Sequence, residues 1–324
     1  MSIIKGRRAA GLAALLFLFV SANAGSASAQ LGGLGGLGDK LKKKTPGIGP
    51  LLEGKPPITT SLEDAKWADA SKDNYTPREA GRSLMTLQRT PNGGFVLQPG
   101  YYSLQSQSYC LKAGTHGPGG GDGYLYAPPK GPAEDAVMTI VRNSVNRPEI
   151  PQQQIQQLLW AIIARAKFED LQGQLRATAS QLLTPRQLAS LNRSALDVLS
   201  NSQLQSALGG VPGPVRQVMQ AEASLRQMLT TPGASFAEME RVAVLSGAAP
   251  RGEGSRDVPS GRWSLHPDGY YVRYLPSGYS STRVEVWVPQ GSPAVGKEYD
   301  PAAHIAVPGN TARQRLIQSG RAHS

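Results

Sequence analysis

The sequence predicts an α+β protein: a predominantly helical body, a small Tyr/Gly-rich β element, and a C-terminal three-stranded antiparallel meander. Three observations predict it. Ile155, Leu158, Leu159, Ile162, Ile163 and Ala166 recur at the spacing of one helix face. Tyrosines and glycines crowd the stretch from Tyr101 to Tyr126. Apolar and polar residues alternate strictly from Thr282 to Val288, after two turn signals.

Taken in order, residues 1–29 read as a secretory signal peptide. Lys5, Arg7 and Arg8 precede a short apolar run, and Ala27-Ser28-Ala29 makes a small-x-small cleavage site before Gln30. Residues 30–57 read as a disordered Gly/Lys/Pro linker, with Lys40, Lys42, Lys43 and Lys44 after a Gly-Leu repeat. A mainly helical domain is expected over 58–249. It opens with two short helices, one capped by Ser61 and one by a Thr76-Pro77-Arg78-Glu79 capping box that leads to Leu84 and Leu87.

The β element lies at about 93–127. Asn92-Gly93 is a turn, Phe95 to Leu97 and Tyr101 to Leu104 read as paired strands, Tyr109 to Ala113 as a third and Tyr124 to Tyr126 as a short return strand. Two helices follow. One carries Val137, Ile140 and Val141 and stops before Pro148, since a residue preceding proline is pushed out of the α region. The other begins after Pro151 and is the expected core helix. Thr184-Pro185 and Ser235 with Glu238 mark later helix starts, and Pro212-Gly213-Pro214 separates two helical segments.

Residues 250–260 read as a linker and 261–290 as the meander. Val284, Val286 and Val288 share one face and Arg283, Glu285 and Trp287 the other, as Tyr270, Val272 and Tyr274 oppose Tyr271 and Arg273. At about 30 residues the meander is too small to stand alone and must pack on the body or on another chain. Residues 291–324 read as an extended tail with a short helix after Asn310 or Thr311.

The chain of 324 residues carries a formal charge of +11, and removing 1–29 takes away three positive charges and leaves +8. That balance suits anionic partners. A single cysteine, Cys110, excludes an intramolecular disulfide and is expected to be buried. The four histidines form no HExxH or His-x-His pair and there is no CxxC, so no metal site and no cofactor is expected. The glycine loop from Gly114 to Gly123 lacks the Lys-Ser/Thr ending of a phosphate-binding loop. No helix-turn-helix, zinc-finger or RNA-binding signature is present, and no nucleic acid partner is expected. After the leader no run is apolar enough to predict a transmembrane span.

The functional expectation is an exported cell-envelope protein, in the periplasm, at the cell surface or outside the cell. It would act as a structural, adhesive or polymer-recognition module without catalysis. Its partner would be an anionic or glycan polymer or an envelope protein, met by Tyr101, Tyr124, Tyr126, Tyr271, Arg273, Arg283 and Trp287. One alternative is an envelope-polymer hydrolase with a site between the 101–126 platform and the 261–288 meander, its candidates being Cys110, His116, Asp122 and His266. Another is a homo-oligomeric surface subunit pairing through the meander edge.

Overall fold

The computed structural model describes residues 56–323 apart from 210 and 212. The expected signal peptide and nearly all of the expected Gly/Lys/Pro linker lie outside the described residues. The fold is a mostly β body, one large, nearly closed antiparallel sheet of eight strands with seven helices, at 33% helix and 22% strand. This corrects the expected predominantly helical body.

The sheet is organised on β3, Gly100–Cys110. One flank of β3 pairs antiparallel with β9 (Ser281–Val288), which continues to β8 (Tyr271–Pro276) and β7 (Ser264–Leu265). The other flank pairs with β12 (Leu316–Ala322), which leads to β11 (Ile305–Pro308) and β5 (Tyr124–Ala127). The two-residue β1, Arg82–Ser83, lies parallel to β3 beside Tyr102 and Ser103. Two small pairs sit apart: β2 (Phe95–Val96) with β10 (Glu298–Tyr299), and β4 (Thr115–His116) with β6 (Val244–Leu245).

The alternation of side chains decides two cores. Tyr102, Leu104, Cys110, Tyr124, Tyr126, Val272, Tyr274, Val284, Val286, Val288, Ala306 and Leu316 fill the sheet interior with Tyr270 and Tyr299. Their strand neighbours Tyr109, Leu125, Ala127, Ile305, Val307 and Ile317 face outward into the helices. The helices are α1 (Glu134–Ser144), α2 (Gln152–Ile163), α3 (Gly173–Leu182), α4 (Pro185–Arg193), α5 (Asn201–Leu208), α6 (Gly213–Thr230) and α7 (Phe236–Ala243). Reciprocal capping boxes start α4 at Thr184 and Gln187 and α7 at Ser235 and Glu238; the sequence predicts both helix starts, the first from Thr184-Pro185 and the second from its capping box. α2 is the central core helix: Ile155, Leu158, Leu159 and Trp160 are fully buried.

Its polar face is bound into the sheet as well. β9 begins at Ser281, opposite Gln107, so beyond that pair the last residues of β3 lack a strand on that side. Glutamines one turn apart on α2 supply the missing partners. Gln152 Nε2 donates to Ser108 O at 3.1 Å, and the Gln156 amide accepts from Cys110 N–H at 2.8 Å and donates to Cys110 O at 3.2 Å. Four residues of helix advance about 6 Å and two of strand about 6.8 Å, so the two repeats match.

Three local expectations are corrected. No helix follows Thr76: Arg82 and Ser83 are extended and only a 3-10 turn forms at Leu84–Thr86, because an extended chain brings Leu84 and Leu87 into the sheet interior. Phe95 and Val96 pair with Tyr299 and Glu298, not with the Tyr101 strand. The tail is not helical from Leu316 onward but forms β12, with Leu316 facing the interior and Ile317 the helices. The 250–260 stretch connects the helical layer to β7, in the same sheet as β3.

Candidate functional site

The candidate site is the outer face of β3, β9 and β8. Register sets its rows. Tyr101, Trp287 and Tyr271 lie side by side on the three strands, Ser103, Glu285 and Arg273 form the next row, and Gln105, Arg283 and Leu275 the third. Val284, Val286 and Val288 point the other way and are buried, as the alternation predicts. Five of the seven expected binding residues, Tyr101, Tyr271, Arg273, Arg283 and Trp287, therefore share one face. Glu285 is almost fully buried and sits between two guanidiniums, Arg273 and Arg283, the latter at 3.2 Å. Burial and the Glu285 carboxylate raise the Tyr101 phenol above its ordinary range.

Sequence reasoning missed the cover on this face. Residues 67–75 cross it, with Lys72 and Tyr75 seated at its centre. Ala68 N–H donates to Trp263 O at 3.2 Å, Trp263 Nε1 donates to Tyr75 O at 2.8 Å, and Arg262 joins Asp73 and donates to Ala68 O at 3.1 Å. Tyr75 and Tyr271 both lie against Trp287, with ring centroids 4.5 and 4.9 Å away. Arg273 rests over Trp263 at 4.5 Å and Lys72 over Tyr75 at 4.5 Å. Trp287 is consequently only 8% exposed, while Tyr101, Tyr271 and Arg273 are half-buried and Arg283 is exposed. Nothing in the 67–75 sequence, with two aspartates, two alanines and a single lysine, announces a cover; Trp67 and Tyr75 are its only aromatic signal.

Tyr124 and Tyr126 are corrected: both project into the sheet interior and are buried, because even-numbered residues of β5 face inward. Tyr126 meets the second cluster of note, at one end of that interior. Its ring lies 4.9 Å from His266 and 4.7 Å from His304, and the two imidazoles stack at 4.9 Å. Tyr270 O–H donates to His304 Nε2 at 2.6 Å, and His304 Nδ1–H donates to Asp300 O at 2.6 Å. His266 Nδ1 accepts from the Asp268 N–H at 3.1 Å, so its nitrogen facing Asp268 carries no proton in the neutral ring. Burial pulls His266 down to about 4 and His304 down to about 3, and pushes Tyr126 up to about 12. A hydrogen bond from Lys297, 2.7 Å away, lowers Asp268. His304 escaped sequence reasoning because it lies 38 residues beyond His266 with no spacing motif.

The remaining catalytic candidates do not converge. Cys110 is fully buried in the sheet interior, where burial and then the Glu240 carboxylate raise its thiol well above the ordinary value. His116 lies in β4 and its buried Nδ1 has no hydrogen-bond partner among the described residues. Asp122 pairs with Arg313 and accepts from Gly119 N–H at 3.1 Å. The glycine loop therefore wraps a guanidinium: Arg313 also donates to Gly117 O at 2.6 Å, and a Cβ on Gly119 would fall 2.4 Å from that guanidinium. Among the described residues no three His, Cys, Asp or Glu side chains are grouped to hold a metal ion, and no helix is long and apolar enough to cross a membrane. Comparison with protein-family models, curated proteins and solved structures gives no match.

Proposed function

We propose that this is an exported cell-envelope protein serving as a structural, adhesive or polymer-recognition module without catalysis. Its contact surface is the outer face of β3, β9 and β8. The observation that carries this reading is the row Tyr101–Trp287–Tyr271 beside the row holding Glu285 and Arg273, with exposed Arg283 next to it. Aromatic rims next to fixed charges suit sugar rings and anionic substituents. Export rests on the basic, apolar and small-residue order of 1–29. The test is retention of the mature protein on insoluble peptidoglycan and on lipopolysaccharide vesicles. Combined Tyr271→Ala and Arg283→Ala substitution should lower the retained fraction about tenfold on at least one of them. Equal retention of variant and wild type, or no retention of the wild type, sinks the reading.

A second reading, a polymer hydrolase between the 101–126 platform and the meander, is favoured by one observation: Tyr126 and His266 come together there, beside Asp268. The Asp268 backbone N–H on His266 Nδ1 weighs against it, since an orienting carboxylate would need a proton on that nitrogen. Release of soluble fragments by wild type, lost in His266→Gln, would establish this reading in place of the first.

A further inference from the structure

The contact face already holds a cation, and the way it holds it points to a ligand class. Three cations of this region rest on rings: Arg262 over Trp67 at 5.0 Å, Arg273 over Trp263 at 4.5 Å, and Lys72 over both Tyr75, at 4.5 Å, and Trp287, at 5.1 Å. Arg262 is neutralised by Asp73 and Arg273 by Glu285. The Lys72 ammonium differs. Among the described residues it makes no hydrogen bond and no ion pair, so the ring faces of Tyr75 and Trp287 are its binding partners. A tight turn builds the arrangement: Lys72 N–H donates to Asp69 O at 2.8 Å and Tyr75 N–H to Lys72 O at 3.0 Å, which sets cation and ring on one side of the chain. Tyr271 stacks against Trp287 and fixes the indole from within the sheet.

We infer that the packed ring pair Tyr75–Trp287 is a binding site for alkylammonium groups, with Lys72 as an internal occupant that a ligand ammonium displaces. The inference rests on reading this face as the recognition surface, and it adds to the sugar and anion chemistry read there a second group, a primary or quaternary ammonium carried by the same partner. Ring faces bind such cations through the quadrupole, and tryptophan does so best. Lys72 is half-buried and makes no salt bridge among the described residues; Asp69 attracts it only through space and keeps its bond from Ser71 N–H, so the departure of Lys72 leaves no carboxylate without a partner. Being three residues from Tyr75, it competes at an effective concentration on the order of millimolar or above. A single free ammonium therefore enters the native site weakly, and a polymer bearing several enters by outnumbering Lys72.

The test is a titration of the Trp287 indole N–H resonance, assigned with Trp287→Phe. Tetramethylammonium stands for a quaternary head group and butylammonium for a primary amine. Lys72→Ala, with Lys72→Gln as the second variant, should bind at least one cation about tenfold more tightly than wild type, and Tyr75→Leu added to Lys72→Ala should abolish the gain. If both Lys72 variants titrate as wild type does, or none responds up to about 100 mM in a spectrum of folded protein, the site is not an ammonium site. Because the probes are small cations, failure here leaves polymer retention to be judged separately.

Discussion

Gln156 does for Cys110 what a neighbouring strand does elsewhere in the sheet, and it does so with both ends of one amide. Replacing it by leucine leaves a buried N–H and a buried C=O without partners, at about 1–3 kcal/mol each. Gln156→Leu should therefore lower the unfolding free energy by about 2–6 kcal/mol in urea titrations, and an unchanged midpoint would refute the role assigned to the amide. The same burial governs the thiol. Cys110 should be inert to a thiol reagent in native protein and react fully once unfolded. The imidazoles give a pH dependence of definite sign. Folding pulls His266 from 6.5 to about 4, so the folded state binds fewer protons than the unfolded one between those values. Stability is complete above about pH 6.5 and is lost as pH falls, by on the order of 3 kcal/mol for this residue. Denaturant midpoints at pH 7 and 4.5 should differ by less in His266→Gln than in wild type.

At the level of elements, the 67–75 cover is held by few bonds, and Arg262 makes two of them while itself nearly buried. Arg262→Met should expose Lys66 and Lys72 to trypsin at least several-fold faster while the sheet stays intact, a loosening read directly by limited proteolysis. Elements whose signals are local were legible in the sequence. Helix α2, the helix starts at Thr184 and Ser235, and strands β8 and β9 with their buried valine face follow from local pattern alone. The Thr76-Pro77 capping box failed, because Leu84 and Leu87 gain more by reaching the sheet interior than a short helix could return. β12 failed for a similar reason: its strand pattern is interrupted by Gln318, Ser319 and Gly320, polar and small residues that are buried because β3 lies beside them and Gly93 and Arg89 close over Gly320. Of the contact face, the strand residues were visible by alternation and the cover was not, since pairing between Lys72 or Tyr75 and Trp287 spans over 200 residues.

For the molecule as a whole, the sheet joins strands from 100–127, 264–288 and 305–322, and β12 stands between β11 and β3. No stretch of the chain holds a complete core, which is why periodicity, a local signal, predicted a helical body. A chain truncated after Asn310 should fail to fold cooperatively, with loss of near-ultraviolet dichroism, whereas a detachable tail would leave the signal intact. Folding through pairings this distant should also be slow for a chain of this size, on the millisecond-to-second scale or longer.

The closure of the sheet has a mechanical consequence. Where β5 approaches β7, the wall has no ladder: Tyr126 N–H donates to Ser264 Oγ at 2.9 Å, and Tyr126 O accepts from Lys66 N–H at 2.8 Å. Parting β5 from β7 breaks the Tyr126–Ser264 bond and none of the strand pairs, while Lys66, on neither strand, spans the seam by holding Tyr126 O two residues before Ala68 N–H holds Trp263 O. The barrel wall thus carries an expansion joint, and the tyrosines and histidines behind it are the part of the interior that a breathing motion reaches first.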